Sequence, residues 1–215
     1  MDHQHEDRGS SQIAHGIQAA RPFDGPAFES AVRALLKACG VDDDAHLRST
    51  PERVRALWQE RLLSGYGQPL ADVLGEGFAD PRSDVVVVRG IAVHGVCPHH
   101  LLPFRGKAHV AYLPGGRLHG FGRIARLVDA LAHRFTYQEW LTRDVADALI
   151  THGHAQGAAV VVEAEQLCLL LGEDRRSEER VVTQAFAGVY EGDATLRAEI
   201  QRLVLPEGDL GRTGR

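Results

Sequence analysis

Lysine is almost absent from this chain: Lys37 and Lys107 are the only ones, and arginine carries nearly all of the positive charge. A planar guanidinium suits bidentate contact with anions, and a GC-rich genome produces the same bias. The formal net charge is -5 over 215 residues, which excludes a broad basic surface for nucleic acid and makes any anion site local. No run of about 18 apolar residues exists to cross a bilayer, and the N-terminus has no apolar core of a secretory signal. These absences predict a cytoplasmic protein with neither a membrane nor a nucleic-acid partner. Cysteine is scarce as well. Cys39, Cys97 and Cys168 make no even set of disulfide partners, and in a reducing compartment metal binding or catalysis gains weight as a reading of the thiols.

What is present, 44% hydrophobic and 25% charged residues, is an ordinary globular composition with enough apolar material for a sizeable core. Residues 1–21 lack sustained apolar periodicity and read as a polar tail, so His3 and His5 receive no site role. Helical spacing of Phe28, Val32, Leu35 and Leu36 predicts a helix from Pro26 to Cys39, with Cys39 on its core face. Ser49-Thr50-Pro51-Glu52 has the form of a capped helix start running to about Leu63. Strands are predicted over Val85–Val88, Ile91–Val96 and Lys107–Leu113, followed by helices over Arg123–Arg134 and Gln138–His152. Two β-rich runs, Ala158–Leu171 and Arg180–Tyr190, precede a short helix capped by Asp193. Grouped strands and grouped helices indicate an α+β domain with helices on one face of an antiparallel sheet. The division expected is a helical region over 22–80, a catalytic domain over 81–205 and a flexible tail over 206–215.

The sharpest chemical feature is Cys97-Pro98-His99-His100 between two predicted strands. Thiolate and imidazole three residues apart can share one zinc ion, and a catalytic zinc site commonly has three protein ligands and an open position for water. Alone the pair is weak evidence, because a single buried cysteine is usually an inert small hydrophobe. Cys168, on a later β-rich run, is available as a third ligand of suitable softness. His109, His119, His133, His152 and His154 are structural by default.

The segment from Ser49 to Val204 resembles GTP cyclohydrolase I. The blocks that carry the resemblance are Ser49-Thr50-Pro51-Glu52-Arg53-Val54, Cys97-Pro98-His99-His100, Gly106-Lys107-Ala108-His109-Val110-Ala111-Tyr112, Arg123-Ile124-Ala125-Arg126-Leu127-Val128, Gln138-Glu139 with Leu141-Thr142, and Cys168. They stand in the family's order and at its spacing. The resemblance implies a T-fold and a ring-shaped homo-oligomer, a decamer or octamer, with active sites between subunits. It implies Cys97, His100 and Cys168 as ligands of Zn2+, and His99 as the proton-transfer residue. Gln138 and Glu139 then hold the guanine of a purine nucleotide, with Arg53, Arg123 and Arg126 on its phosphates. The implied reaction is hydrolytic opening of the imidazole ring of GTP to give formate and 7,8-dihydroneopterin triphosphate. Zinc suits that chemistry because it lowers the pKa of bound water from 15.7 toward about 7, and histidine because it exchanges protons near neutrality.

The chain also departs from the pattern. Gln166 stands at a catalytic position usually held by a second histidine, and an amide cannot shuttle a proton near pH 7. Gly172 replaces a phosphate-contacting arginine, with Arg175 and Arg176 nearby as substitutes. Gly122 replaces a serine, and Arg123 a lysine. Three readings stay open on the sequence: GTP cyclohydrolase I activity with His99 and water covering for the histidine, a paralogue that takes another guanine-type substrate or stops at a ring-opened formamide, and an inactive regulatory ring subunit.

Overall fold

The computed structural model describes residues 15–19, 21–172 and 179–204. His3, His5, Arg175, Arg176 and the tail expected over 206–215 lie outside them. Helix α1 (Gly25–Ala38) and α2 (Thr50–Leu57) pair as an N-terminal helical region, and a short α3 (Leu70–Leu74) follows. Then come β1 (Phe78–Ala79), β2 (Val86–Val96), β3 (Pro103–Leu113) and β4 (Arg117–Leu118). Two helices, α4 (Phe121–Ala132) and α5 (Gln138–Thr151), separate these from β5 (Gly157–Gln166), α6 (Leu167–Leu170), β6 (Val181–Gly188), α7 (Val189–Gly192) and α8 (Ala194–Val204).

The sheet is antiparallel throughout, in the order β2-β3-β5-β6, and carries α4 and α5 across one face. This is the T-fold. Alternation decides which side chains face the helices. Val110 pairs with Val160 and Val160 with Ala185, and all three point into a core that also holds Ile124, Leu127, Leu131, Leu141, Val145 and Leu149. Residues one step out of phase, Ala111, Ala159 and Val161, face the other way, where Tyr190, Ile200 and Val204 cover them. Helices therefore lie on both faces rather than one, because β3 and β5 are apolar at successive positions and must be buried twice. The strand pair Val85–Val88 and Ile91–Val96 is one strand with a bulge between Val88 and Ile91, where Gly90 takes φ 73°. No helix among the described residues is long and apolar enough to cross a membrane.

Three sequence expectations are corrected. Ser49 makes no side-chain capping bond; its backbone sits near φ -97°, ψ 6° rather than in the extended region that aims a capping hydroxyl at the free amides. The helix it opens turns π-helical over Trp58–Leu62 before Leu63 N–H closes on Trp58 O at 2.8 Å. Cys39 is exposed, not core: α1 buries no residue fully, since among the described residues its apolar stripe meets chiefly the α2 region. Cys168 lies in the helical turn α6, not on a strand. β5 loses its partner where β3 begins, at the Phe104–Gln166 pair, and the apolar run that follows coils instead of extending.

One pair of side chains ties β2 to the end of α4. The rings of His94 and His133 lie 4.3 Å apart, and Ser64 Oγ sits 3.2 Å from His133 Nδ1. Burial pushes the His133 imidazole below its usual value, and the charges of His94 and Arg61 push the same way against Asp129. A depressed folded-state value means that the unfolded chain binds the proton first. The stability contribution is complete above the unfolded value of about 6.5 and erodes as pH falls through it. Denaturation midpoints measured between about pH 7 and 5 should fall with acidification, and His133→Asn should flatten that slope.

Candidate active site

Strand β2 delivers its last residues to the rim of the sheet through a close approach. A Cβ on Gly95 would stand 2.5 Å from the Phe104 ring and 2.8 Å from Ala132 O, so only glycine lets the strand press this near to α4. Val96 then bridges to Phe135, and Thr136 N–H donates to Val96 O at 3.2 Å. Cys97 follows, buried, and opens a tight loop. Its N–H donates to Leu102 O and its carbonyl accepts from Leu101 N–H, both at 3.0 Å, with Leu101 at φ 56°. His99 and His100 ride on that loop, both exposed, with ring centroids 6.2 Å apart.

The loop and the start of α5 enclose a cleft of about 230 Å³, lined by Cys97, His99, Tyr137, Gln138, Glu139 and Gln166 among others. Cys168, two residues beyond Gln166, adjoins Cys97. Burial pushes the Cys168 thiol up, and the Cys97 sulfur beside it adds to the effect. Two sulfurs from distant parts of the chain thus meet at the rim. His100 does not join them: among the described residues no three metal-capable side chains form a cluster.

Two hydrogen-bonding systems set the rest of the cleft. Tyr137 Oη and His99 Nε2 are 2.8 Å apart, with the rings at 4.8 Å, so the phenol fixes the imidazole. Gln138, at 3% exposure, spends its side chain on the sheet. Its Nε2 donates to Val162 O at 3.0 Å, Val181 O at 2.8 Å and Thr183 Oγ1 at 3.2 Å, while its Oε1 accepts from Gln166 Nε2 at 2.7 Å. Thr142 Oγ1 donates back to Gln138 O at 2.7 Å. The amide clamps α5 onto β5 and β6, and leaves Glu139, exposed in the first helical turn, facing the cleft. Carboxylates are favoured there by the helix dipole.

The arginines lie elsewhere. Arg123 and Arg126 line a separate cavity of about 550 Å³ with Gln68, Asp72, Asp129 and His133. Arg123 Nη1 donates to Asp72 O at 3.3 Å and Val73 O at 3.2 Å, at the end of α3. Arg53 is exposed on α2 and lines neither cavity. Within one chain the structure brings together Cys97, Cys168, His99, Gln138, Glu139 and Gln166, and leaves Arg53, Arg123 and Arg126 apart from them. Tyr137 escaped sequence reasoning; its place directly before Gln138-Glu139 was the one available signal.

Comparisons with known proteins agree on a single relationship. The GTP cyclohydrolase I family profile matches residues 28–205. GTP cyclohydrolase 1 of Ralstonia nicotianae is 58% identical over 203 residues, covering 94% of this chain and 97% of the relative. The protein of that name from Chromobacterium violaceum is 58% identical over 200 residues, covering 93% and 97%. That of Corynebacterium aurimucosum is 40% identical over 195 residues, covering 89% and 99%.

Proposed function

The chain belongs to the GTP cyclohydrolase I family, and from that premise we propose that the Cys97–Glu139–Gln166 cleft is where it hydrolyses the imidazole ring of GTP, giving formate and 7,8-dihydroneopterin triphosphate. It is a hydrolase of this class, and its relatives at 58% identity carry the same name over almost their whole length. The observation that supports the location is the meeting of Cys97 with Cys168 beside a cleft walled by Glu139 and His99.

The donor set fits zinc. Burial, and the Cys97 sulfur beside it, raise the cost of ionising the Cys168 thiol, which a divalent cation relieves, and an imidazole stands on the same short loop as Cys97. Cys97 and Cys168 would hold the ion, with His100 as third ligand once its loop brings the ring across to the two sulfurs, and the ion when bound supplies the Lewis acidity that makes water nucleophilic near neutral pH. Glu139 accepts from the N–H groups of the guanine edge, a donor pattern that adenine lacks. Gln138, its side chain committed to β5 and β6, sets the position of Glu139 and presents backbone rather than amide to the base. His99, steadied by Tyr137, transfers the proton to the departing nitrogen. Gln166 has no such proton to give and serves to hold Gln138.

Arg53, Arg123 and Arg126 neutralise the phosphates from a neighbouring subunit, which accounts for their distance from the cleft in a single chain. The assembly is a ring homo-oligomer, a decamer or octamer, in the cytoplasm. The deciding experiment couples metal analysis of the purified protein to mass spectrometry of the products from GTP. Formate and dihydroneopterin triphosphate support the reading; a zinc-loaded protein that releases neither sinks it. A second reading, arrest at a ring-opened formamide, is motivated by Gln166 and by Gly172. On that second reading Gln166→His should raise pterin formation by up to about 10²-fold, the low end of what a positioned acid–base group contributes. An unchanged product profile would mean that His99 and water already carry the transfers.

A further inference from the structure

We propose that residues 15–17 are a strap that holds the wall of the cleft in place, with Asp144 of α5 as its anchor; the catalytic consequence rests on the function proposed above. Asp144 is a carboxylate at 2% exposure, and such a group is costly unless its oxygens are satisfied. His15 N–H reaches both oxygens, at 2.8 and 2.9 Å, Gly16 N–H reaches one at 3.3 Å, and His15 Nδ1 lies 2.6 Å from Oδ1. These partners come from a segment that precedes the part of the chain matched by the family profile, residues 28–205.

The strap touches more than Asp144. Ile17 N–H donates to Phe135 O at 3.1 Å, and a Cβ on Gly16 would lie 3.5 Å from Thr136 Oγ1. Phe135 and Thr136 are the residues that bridge to Val96, next to Cys97, and they lead directly into Tyr137, Gln138 and Glu139. The stretch 135–139 is thus gripped by Val96 in front and by the strap behind. Other charges stand around the anchor. Asp147, one turn along α5, has its carboxyl raised first by burial, with Asp144 adding and Arg143 and His15 opposing; the buried Arg134 guanidinium also feels Asp144. With the strap undocked, Asp144 keeps, among the described residues, this more distant compensation alone, and α5 must shift or admit water. Tyr137 and Glu139 shift with it.

The test is a double-mutant cycle on the full-length chain with His15→Pro, which removes the N–H and the ring from the strap side, and Asp144→Asn, which turns an acceptor into a donor facing donors. Hydrogen exchange at Phe135 and Thr136 should accelerate in each variant. KM for GTP should rise about tenfold, the loss of one charge-assisted hydrogen bond, with kcat held within about twofold. The double variant should be no worse than the worse single one. Unchanged exchange and KM in His15→Pro, or KM effects that multiply, would overturn the strap. His15→Pro leaves the core untouched, so a folding failure of Asp144→Asn does not spoil the test. If the unaltered chain converts no GTP, the functional reading fails, and the exchange measurement alone then supports or overturns the strap.

Discussion

A Cys168→Ala chain is expected to purify with less than about a tenth of the zinc of the unaltered protein and to release formate from GTP at least about 10³-fold more slowly, the equivalent of several kcal/mol of transition-state stabilisation. The size of the effect follows from placement. Cys168 occupies a four-residue turn at the end of β5, half-buried, and its thiol meets Cys97 rather than filling the main core. Alanine there removes one sulfur without opening a large cavity, so thermal denaturation should shift little while chemistry collapses. Cys39→Ala is the control: that thiol is exposed at the end of α1, far in sequence from the cleft loop, and its removal should change neither zinc nor rate. Full zinc and full formate release from Cys168→Ala would remove the second sulfur from the metal site.

The elements were legible wherever periodicity had one cause. Ile124, Leu127, Val128 and Leu131 announced α4 because a helix must bury one stripe, and Leu141, Val145 and Leu149 announced α5. Local pattern failed where a partner decided the outcome. Residues 167–171 read as strand because they are apolar, yet they coil because β3 offers nothing beyond Phe104 to pair with. Cys39 read as core because its helix is amphipathic, yet amphipathicity does not say how much of a stripe finds cover. The site divides in the same way. Cys97, His99 and Glu139 carried the resemblance in their own sequence blocks. That Gln138 serves the sheet, that Tyr137 fixes His99, and that His15 satisfies Asp144 all depend on chain segments meeting across long separations, which no local spacing encodes. Glutamine at position 166 shows the cost of reading one residue alone. It looked like a missing histidine, and in the fold it is the donor that completes Gln138's hydrogen bonding.

That amide network sets the second large expectation: Gln138→Glu should cost about 4 kcal/mol of folding stability at pH 8, a large share of the 5–15 kcal/mol typical of a domain. The swap is nearly isosteric, so volume is not the issue. It replaces an NH2 that donates to Val162 O, Val181 O and Thr183 Oγ1 with an oxygen that repels both carbonyls, while the bond from Gln166 to the other oxygen survives. One buried and one half-buried carbonyl lose this donor, and a carboxylate is placed at a site of 3% exposure. The pH dependence should run opposite to that of His133. Burial and facing carbonyls favour the protonated acid, so the introduced group has a raised folded-state pKa; its deficit is smallest below the unfolded value of about 4.3 and grows as pH rises. Gln138→Met separates the two costs, since it gives up the hydrogen bonds without adding charge and should fall between the unaltered chain and Gln138→Glu at pH 8. Chemical denaturation of all three at about pH 5 and pH 8 decides the matter. If Gln138→Glu matches the unaltered chain at the higher pH, the amide does not face the carbonyls of β5 and β6, and the positioning of Glu139 must come from another source.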